Sequence, residues 1–139
     1  MKVQEIMSAK PVCCAPDTSI REVAEMMVSE DVGEIPVCDD EGKPLGVVTD
    51  RDIVVRAVAE RCDPAATTIG EIVTKDLVTV RPDDSIHSAA LLMRDQAVRR
   101  ILVCDDHQGL VGIVSIGDLA EEIDPDSVLG GISKARPNN

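Results

Sequence analysis

The chain has 139 residues, of which 44% are hydrophobic, and its formal net charge is -12. This length fits one compact domain or two small repeats, and the hydrophobic content excludes a wholly disordered chain. The excess of acidic side chains argues against nonspecific binding to nucleic acid or to an anionic membrane, because both attract clustered lysine and arginine. Since the chain has no Trp, Tyr or Phe, any bound base must stack on aliphatic side chains or on arginine.

The N-terminus and the cysteines suggest a compartment. Residues Met1 to Glu5 contain no apolar stretch like that of a signal peptide, and no apolar run approaches the ~20 residues of a membrane span. The five cysteines are Cys13, Cys14, Cys38, Cys62 and Cys104. An odd number without a secretion signal favours reduced thiols, so we expect a cytoplasmic protein.

The chain is an internal duplication. A shift of 66 residues aligns Val3–Arg56 with Ile69–Glu122 without a gap, and 18 of the 54 aligned pairs are identical. Two similar units in one chain predict packing with pseudo-two-fold symmetry, in which each unit covers the apolar face of the other.

The first repeat contains one predicted set of elements. Ile20, Val23, Ala24 and Met27 have the i, i+3, i+4, i+7 spacing of an apolar helical stripe, and Ser19 begins a capping box. In chain order the elements are a short strand at Val12–Cys14, the helix from Ile20, hairpin strands at Ile35–Cys38 and Leu45–Thr49, and a helix near Asp50–Ala59.

The second repeat predicts the same order of elements. These are a strand at Val78–Val80, a helix from Ile86, hairpin strands at Ile101–Cys104 and Leu110–Ser115, and a helix at Ile116–Ile123. A capping box at Thr68–Glu71 predicts a short helix that opens this repeat. We therefore expect motif 1 at residues 1–60, a linker at 61–67, motif 2 at 68–123 and a tail at 124–139, with one helical turn possible at Ser127–Ile132.

Each hairpin ends in the pattern Gly, two β-branched residues, a hydroxyl, two variable residues and Asp. Thr49 and Ser115 stand where a strand ends and a helix begins, so each can cap the helix and face an anion held by free N–H groups. Asp52 and Asp118 follow one helical turn later, and a carboxylate there can accept two hydrogen bonds from a ribose diol. The pattern predicts either a nucleotide cradle or simple helix-start residues.

These segments resemble the motifs of the CBS domain, and two of them in tandem resemble a Bateman module. The resemblance rests on residues 12–20, 35–39 and 46–52 and on their partners 78–86, 101–105 and 112–118. It implies an α/β (α+β) fold in which each half is a β-α-β-β-α unit. It also implies up to two adenosine-ligand clefts between the repeats.

The resemblance assigns roles to individual residues. Asp52 and Asp118 would bind ribose, and Thr49 and Ser115 would contact phosphate. The positions that correspond to base contacts are Val12, Cys14, Pro36, Val78, Val80 and Leu102.

The two halves differ in charge near the expected phosphate. Repeat two has Arg99 and Arg100, where the family often places basic residues, whereas repeat one has Gly33 and Glu34. A carboxylate within about 4 Å of a phosphate disfavours binding by roughly 1–4 kcal/mol, and Arg51 could compensate. Alternatively, the two repeat-two arginines form a solvated pair or bind acidic side chains.

The cysteines have two alternative interpretations, as buried structural residues or as redox-active thiols. Cys38 and Cys104 are equivalent in the two repeats, and in strands they are most simply small buried hydrophobes. A disulfide between Cys38 and either Cys13 or Cys14 is the sharper hypothesis. Cys104 and His107 have a Cys-x-x-His spacing, but no second pair completes a metal site, so we expect no metal.

The resemblance implies a regulatory module, and since no catalytic constellation is visible in the sequence, we expect no enzymatic activity. The resemblance implies an adenosine-containing ligand such as AMP, ADP, ATP, NAD or S-adenosylmethionine, a homodimer, and an effector protein that receives the signal. Two alternatives stay open: a nucleotide-free protein-interaction module, and a thiol redox sensor that uses Cys13, Cys14 and Cys38.

Overall fold

The computed structural model of the chain describes residues Met1–Ile123. The expected tail at 124–139, with its turn at Ser127–Ile132, lies outside the described residues. The described elements confirm the α+β fold class with tandem repeats. In chain order they are β1 (Ser8–Ala9), α1 (Ile20–Glu30), β2 (Glu34–Cys38), β3 (Pro44–Thr49), α2 (Asp50–Asp52), a π-helix (Ile53–Val58), β4 (Thr79–Val80), α3 (Ile86–Gln96), β5 (Arg100–Cys104), β6 (Leu110–Ser115) and α4 (Ile116–Ile123), with 3-10 turns at Val3–Glu5 and Ile69–Glu71.

The two long helices begin and end in the same way. The Ser19 hydroxyl accepts a hydrogen bond from the Glu22 N–H at 3.1 Å, and the Ser85 hydroxyl accepts one from the Ser88 N–H at 3.0 Å. Each bond satisfies an N–H that the helix itself leaves without a partner. Both helices end at a left-handed residue, so the predicted apolar stripes form helices of equal length.

The chain forms two compact units that do not coincide with the two sequence repeats. The repeat-one unit contains Pro11–Leu77 and Gln108–Leu110, and the repeat-two unit contains Met1–Lys10, Val78–His107 and, of the described residues, also Val111–Ile123. The first ten residues, expected in motif 1, thus belong to the repeat-two unit. Residues 69–76, the equivalents of residues 3–10 under the 66-residue shift, belong to the repeat-one unit.

Hydrogen bonds explain this exchange in the repeat-two unit. β1 pairs antiparallel with β6, and the Val3 N–H donates to the Asp84 carbonyl at 2.8 Å. The four strands follow the order β1-β6-β5-β4, with β4 parallel to β5. The buried side chains of its core are Val3, Val80, Ala89, Met93, Ile101, Val103, Val114 and Leu119.

The repeat-one unit repeats this arrangement with shorter outer strands. β2 pairs antiparallel with β3, Thr74 bridges to Val47 of β3, and Cys14 forms a parallel bridge to Val37 of β2. Its core consists of Cys14, Ile20, Val23, Met27, Ile35, Val37, Val48, Ala57, Ile69 and Ile72.

Two elements of the repeat-one unit depart from the sequence prediction. The strand expected at Val12–Cys14 is only the bridge at Cys14, because Pro36 has no N–H to donate; the equivalent Leu102 N–H bonds the Val78 carbonyl at 3.2 Å. The helix expected near Asp50–Ala59 becomes a π-helix after Asp52, where the Ala59 N–H donates to the Val54 carbonyl five residues back, at 2.9 Å.

The glycine of each hairpin motif lies under a neighbouring segment. A Cβ on Gly46 would press on the Thr74 backbone carbonyl, whereas a Cβ on Gly112 would press on the flexible Met7 side chain. We therefore expect Gly46→Ala to reduce the free energy of unfolding by about 3 kcal/mol and Gly112→Ala by about 1 kcal/mol. Urea unfolding followed by circular dichroism measures both, and equal losses would contradict this account.

Candidate functional site

In the repeat-one unit, Thr49 and Asp52 form a reciprocal pair at the strand-to-helix junction. The Thr49 hydroxyl accepts from the Asp52 N–H at 3.1 Å, and the Asp52 carboxylate accepts from the Thr49 N–H at 2.9 Å. Both residues are half-buried. The sequence reading of these residues as a helix start is therefore confirmed.

In the repeat-two unit, Ser115 and Asp118 repeat this geometry. The Ser115 hydroxyl accepts from the Asp118 N–H at 3.1 Å, and the Asp118 carboxylate accepts from the Ser115 N–H at 2.8 Å. In both units the first residue of the helix also bonds the residue just before the paired strand. The Asp50 N–H donates to the Gly33 carbonyl, before β2, at 2.9 Å, and the Ile116 N–H donates to the Arg99 carbonyl, before β5, at 2.8 Å.

The capping pair leaves ligand-binding capacity in both units. Each hydroxyl accepts one backbone bond, so its own O–H proton is available to donate to an anion. Each carboxylate uses one oxygen, Oδ2, for the cap. Its other oxygen has lone pairs that can accept from the hydroxyls of a sugar. A helix start and a nucleotide cradle are therefore compatible interpretations of the same residues.

Arg56 is a site residue that the sequence analysis missed. Its Nε lies 3.8 Å from Oδ1 of Asp52, and its Nη1 donates to the Ile72 carbonyl at 3.1 Å. The i, i+4 spacing of an acid and a base on one helix was the available signal. The equivalent residue in repeat two is Glu122, and among the described residues no basic side chain forms an ion pair with Asp118.

Strand alternation divides the expected base-contacting residues between two faces. In the repeat-one unit, Cys14 packs in the core with Val37, whereas Pro36 points to the opposite face, the face of Thr49. We call this opposite face the site face. In the repeat-two unit, Val80 lies in the core, while Leu102 pairs with Thr79 on the corresponding site face.

The remaining expected residues lie near these faces with different exposure. Val12 is exposed, and Val78 is half-buried against the core of the repeat-two unit. Arg51, Arg99 and Arg100 are all exposed. In the repeat-one unit, Glu34 pairs directly with Thr49 across β2 and β3, so its carboxylate belongs to the site face.

Burial raises the pKa of three of the cysteine thiols. Burial, with Cys13 nearby, raises the pKa of Cys14 to about 11. Burial, followed by interaction with the Cys13 side chain, raises the pKa of Cys38 to about 12, and burial also raises the pKa of Cys104. Within residues 1–123, no three His, Cys, Asp or Glu side chains are grouped to hold a metal ion.

Comparison with known proteins gives one family. The family model described as "CBS domain" matches residues 3–58 and 69–125. Hypoxic response protein 1 of Mycobacterium tuberculosis is 33% identical over 120 residues, which cover 86% of this chain and 83% of that protein. A solved structure of Hypoxic Response Protein I, with two coordinated zinc ions, aligns with a TM-score of 0.79 at 32% identity, over 88% of this chain and 99% of that one.

Two further solved structures contain adenosine compounds. A CBS domain protein of Pyrobaculum aerophilum complexed with AMP aligns with a TM-score of 0.78 at 33% identity, over 88% of this chain and 93% of that one. The CBS domain pair of protein MJ0100, with 5'-methylthioadenosine and S-adenosyl-L-methionine, aligns with a TM-score of 0.77 at 29% identity, over 87% of this chain and 94% of that one.

Among the helices of residues 1–123, none is long and apolar enough to cross a membrane.

The raised thiol pKa values predict alkaline destabilisation. Because folding disfavours the thiolates of Cys14 and Cys38, the free energy of unfolding contains a contribution that is fully present below about pH 8 and is lost as the pH rises from about 9 towards 12. Denaturant unfolding under reducing conditions at several pH values measures this slope. In Cys14→Ala the slope decreases, whereas in the control Cys62→Ala it stays; an unchanged slope in Cys14→Ala would contradict the prediction.

Proposed function

The chain belongs to the CBS-domain family and contains two CBS domains in tandem, and we propose that it is a regulatory module that binds an adenosine-containing ligand. The candidates are AMP, ADP, ATP, NAD and S-adenosylmethionine. Solved CBS proteins of similar sequence contain AMP or S-adenosyl-L-methionine, which supports this ligand class.

One observation carries the proposal: the hydroxyl and carboxylate pair that occurs in both units. In each unit, at the start of a helix, a hydroxyl that accepts one backbone bond stands beside a carboxylate whose Oδ1 takes no part in the cap, and in the repeat-one unit this Oδ1 also lies 3.8 Å from Nε of Arg56. A ribose diol offers two O–H donors to such a carboxylate, and a phosphate accepts from the hydroxyl and from basic side chains. We propose ribose contacts for Asp52 and Asp118 and phosphate contacts for Thr49, Ser115, Arg51, Arg99 and Arg100.

The base has only aliphatic surfaces to contact in this chain. Pro36 and Leu102 lie on the two site faces and are the side chains we favour for base contacts. Cys14 and Val80 pack in the cores, so we propose that their segments contribute to the site through the backbone. Val12 and Val78 flank these segments.

Regulation requires that the ligand bind two states of the module with different affinity. We propose that the module is a cytoplasmic homodimer and that ligand binding changes how it meets an effector protein. Light scattering after size exclusion, with and without ligand, tests the assembly.

The absence of aromatic residues makes a first test direct. The protein itself absorbs little near 260–280 nm, so a band near 260 nm that stays in the supernatant after acid precipitation reports a copurified nucleotide. We expect this band, and mass spectrometry of the supernatant identifies the compound. A flat spectrum, followed by no heat of binding for the whole ligand panel in calorimetry, would favour the nucleotide-free interaction module.

If Asp52 and Asp118 bind ribose, removal of either carboxylate should weaken the binding of AMP. We expect Asp52→Ala and Asp118→Ala each to weaken AMP binding at one site by about 2–3 kcal/mol, or roughly 30- to 150-fold, because bonds to a charged group are lost. The 2'-deoxy form of AMP should bind the parent protein more weakly than AMP does. In each variant, the affinity for the 2'-deoxy form should fall by a smaller factor than the affinity for AMP.

A matched control separates this loss from simple loss of a helix cap. Ser19→Ala and Ser85→Ala each remove a cap worth about 1 kcal/mol from a helix that carries no proposed ligand contact. These variants should lose stability but keep their affinity for AMP. If Asp52→Ala and Asp118→Ala behave like them, the ribose assignment is wrong.

Glu34 predicts a phosphate-specific effect. Its carboxylate pairs with Thr49 on the site face and would repel a phosphate there. We expect Glu34→Gln to tighten AMP binding by about tenfold while leaving the affinity for adenosine, which has no phosphate, unchanged. Equal changes for both compounds in calorimetry would show that Glu34 does not face the phosphate.

A further inference from the structure

Strand pairing places Cys13 and Cys38 on the same side of the repeat-one sheet. The Cys14 N–H donates to the Pro36 carbonyl at 3.0 Å, and the Cys38 N–H donates to the Cys14 carbonyl at 2.9 Å. Cys14 therefore stands opposite Val37, and both side chains enter the core. Because side chains alternate along a strand, Cys13 and Cys38 point to the other side, on adjacent segments.

The two thiols are neighbours and differ in exposure. Besides burial, the nearby Cys13 thiol helps to raise the pKa of Cys38, and the Cys13 thiol donates a hydrogen bond to the Pro11 carbonyl at 3.3 Å. Cys13 is exposed, whereas Cys38 is only 6% exposed. An oxidant in solution therefore reaches Cys13 first, and Cys38 is the thiol next to it.

The second repeat lacks this pair. Cys104 is the equivalent of Cys38, but Thr79 stands where repeat one has Cys13. β4 pairs Thr79 with Leu102 and Val80 with Val103 of β5. Thr79 and Cys104 therefore have the same relative positions on their two strands as Cys13 and Cys38, with a hydroxyl in place of one thiol. The chain thus contains its own unreactive counterpart of the thiol pair.

We propose that Cys13 and Cys38 form a reversible intramolecular disulfide, which makes the repeat-one unit a redox-responsive site for low-molecular-weight disulfides such as oxidised glutathione. The Cys13 thiolate attacks one sulfur of oxidised glutathione, whose S–S bond breaks and releases one glutathione thiolate. The Cys38 thiol then gives up its proton to solvent, and its sulfur attacks the Cys13 sulfur of the mixed disulfide, which releases the second glutathione as a thiolate. Two cysteine thiols are oxidised, and one glutathione disulfide is reduced to two glutathione thiols.

The crosslink would join two segments that border the candidate site. It would fix the segment around Cys14 to β2 across the site face of Pro36 and Thr49. Formation of the disulfide is independent of nucleotide binding, so its test uses no nucleotide and stands or falls separately from the proposed function.

The experiment is oxidation of the intact chain with a glutathione redox buffer at pH 8.5, followed by acid quenching and mass spectrometry. We expect the parent to lose two hydrogen atoms, the thiols titrated under denaturing conditions to fall from five to three, and the crosslinked peptides to contain Cys13 and Cys38. Reduction with dithiothreitol should restore all five thiols.

Variants assign the pair. Cys13→Ser, at an exposed position, should retain its fold and lose the crosslink; Cys38→Ala should retain only a glutathione adduct on Cys13. Cys14→Ala, Cys62→Ser and Cys104→Ser should form the crosslink like the parent. A crosslink that survives Cys13→Ser, or a parent that stops at the mixed disulfide, would overturn the proposal.

A gain-of-function variant uses the second repeat. Thr79→Cys supplies the missing thiol beside Cys104, so oxidation should remove two further hydrogen atoms and link these two residues. If Thr79→Cys forms a crosslink while the parent does not, these relative positions on two strands allow a disulfide, but Cys13 and Cys38 do not form one. The proposal would then be wrong.

Discussion

The reciprocal bonds between a hydroxyl and a carboxylate at two strand-to-helix junctions underlie both the fold and the candidate site. Each pair satisfies two backbone N–H groups where a strand turns into a helix, and buried or half-buried donors without partners are destabilising. The same bonds hold the side chains in fixed rotamers. A ligand would therefore meet oxygen atoms whose positions the cap has already set, and little conformational entropy would be lost on binding.

The position of each junction depends on a close approach between segments. Gly46 and Gly112 begin the two motifs, and each lies under a segment contributed by the other sequence repeat: Thr74 above Gly46 and Met7 above Gly112. A side chain at either glycine would displace that segment. The glycine of the motif thus serves chain packing, while its hydroxyl and carboxylate serve the cap and the candidate site.

Duplication has given two units with one framework and different chemistry. The cap is the same in both, but Asp52 has Arg56 beside it where Asp118 has Glu122 one turn later. Glu34 stands on the site face of one unit, where the other has Arg100. Such differences in charge change the affinity for phosphate much more than the affinity for ribose or a base. The CBS family membership accounts for the shared framework, and these positions are where the two units can specialise.

The sequence by itself determined what depends on local interactions. Apolar spacing located α1 and α3, capping residues located their starts, and the Gly-to-Asp pattern located both junctions, because helix periodicity and caps involve residues within one turn of each other. The resemblance of these segments to CBS motifs was likewise confirmed. The roles of the site residues remain a prediction.

Only the tertiary structure decided what depends on residues far apart in the chain. The exchange of residues 3–10 and 69–76 follows from hydrogen bonds between distant strands, which no local pattern encodes. The strand expected at Val12–Cys14 is reduced to a bridge at Cys14, because the neighbouring Pro36 has no N–H to donate. The sequence alone does not show that these two segments are neighbours. Parallel register likewise separated Cys14, which enters the core, from Cys13, which lies on the same side of the sheet as Cys38. Strand pairing sets which side chains share a face, and a one-residue change of register would reverse that assignment.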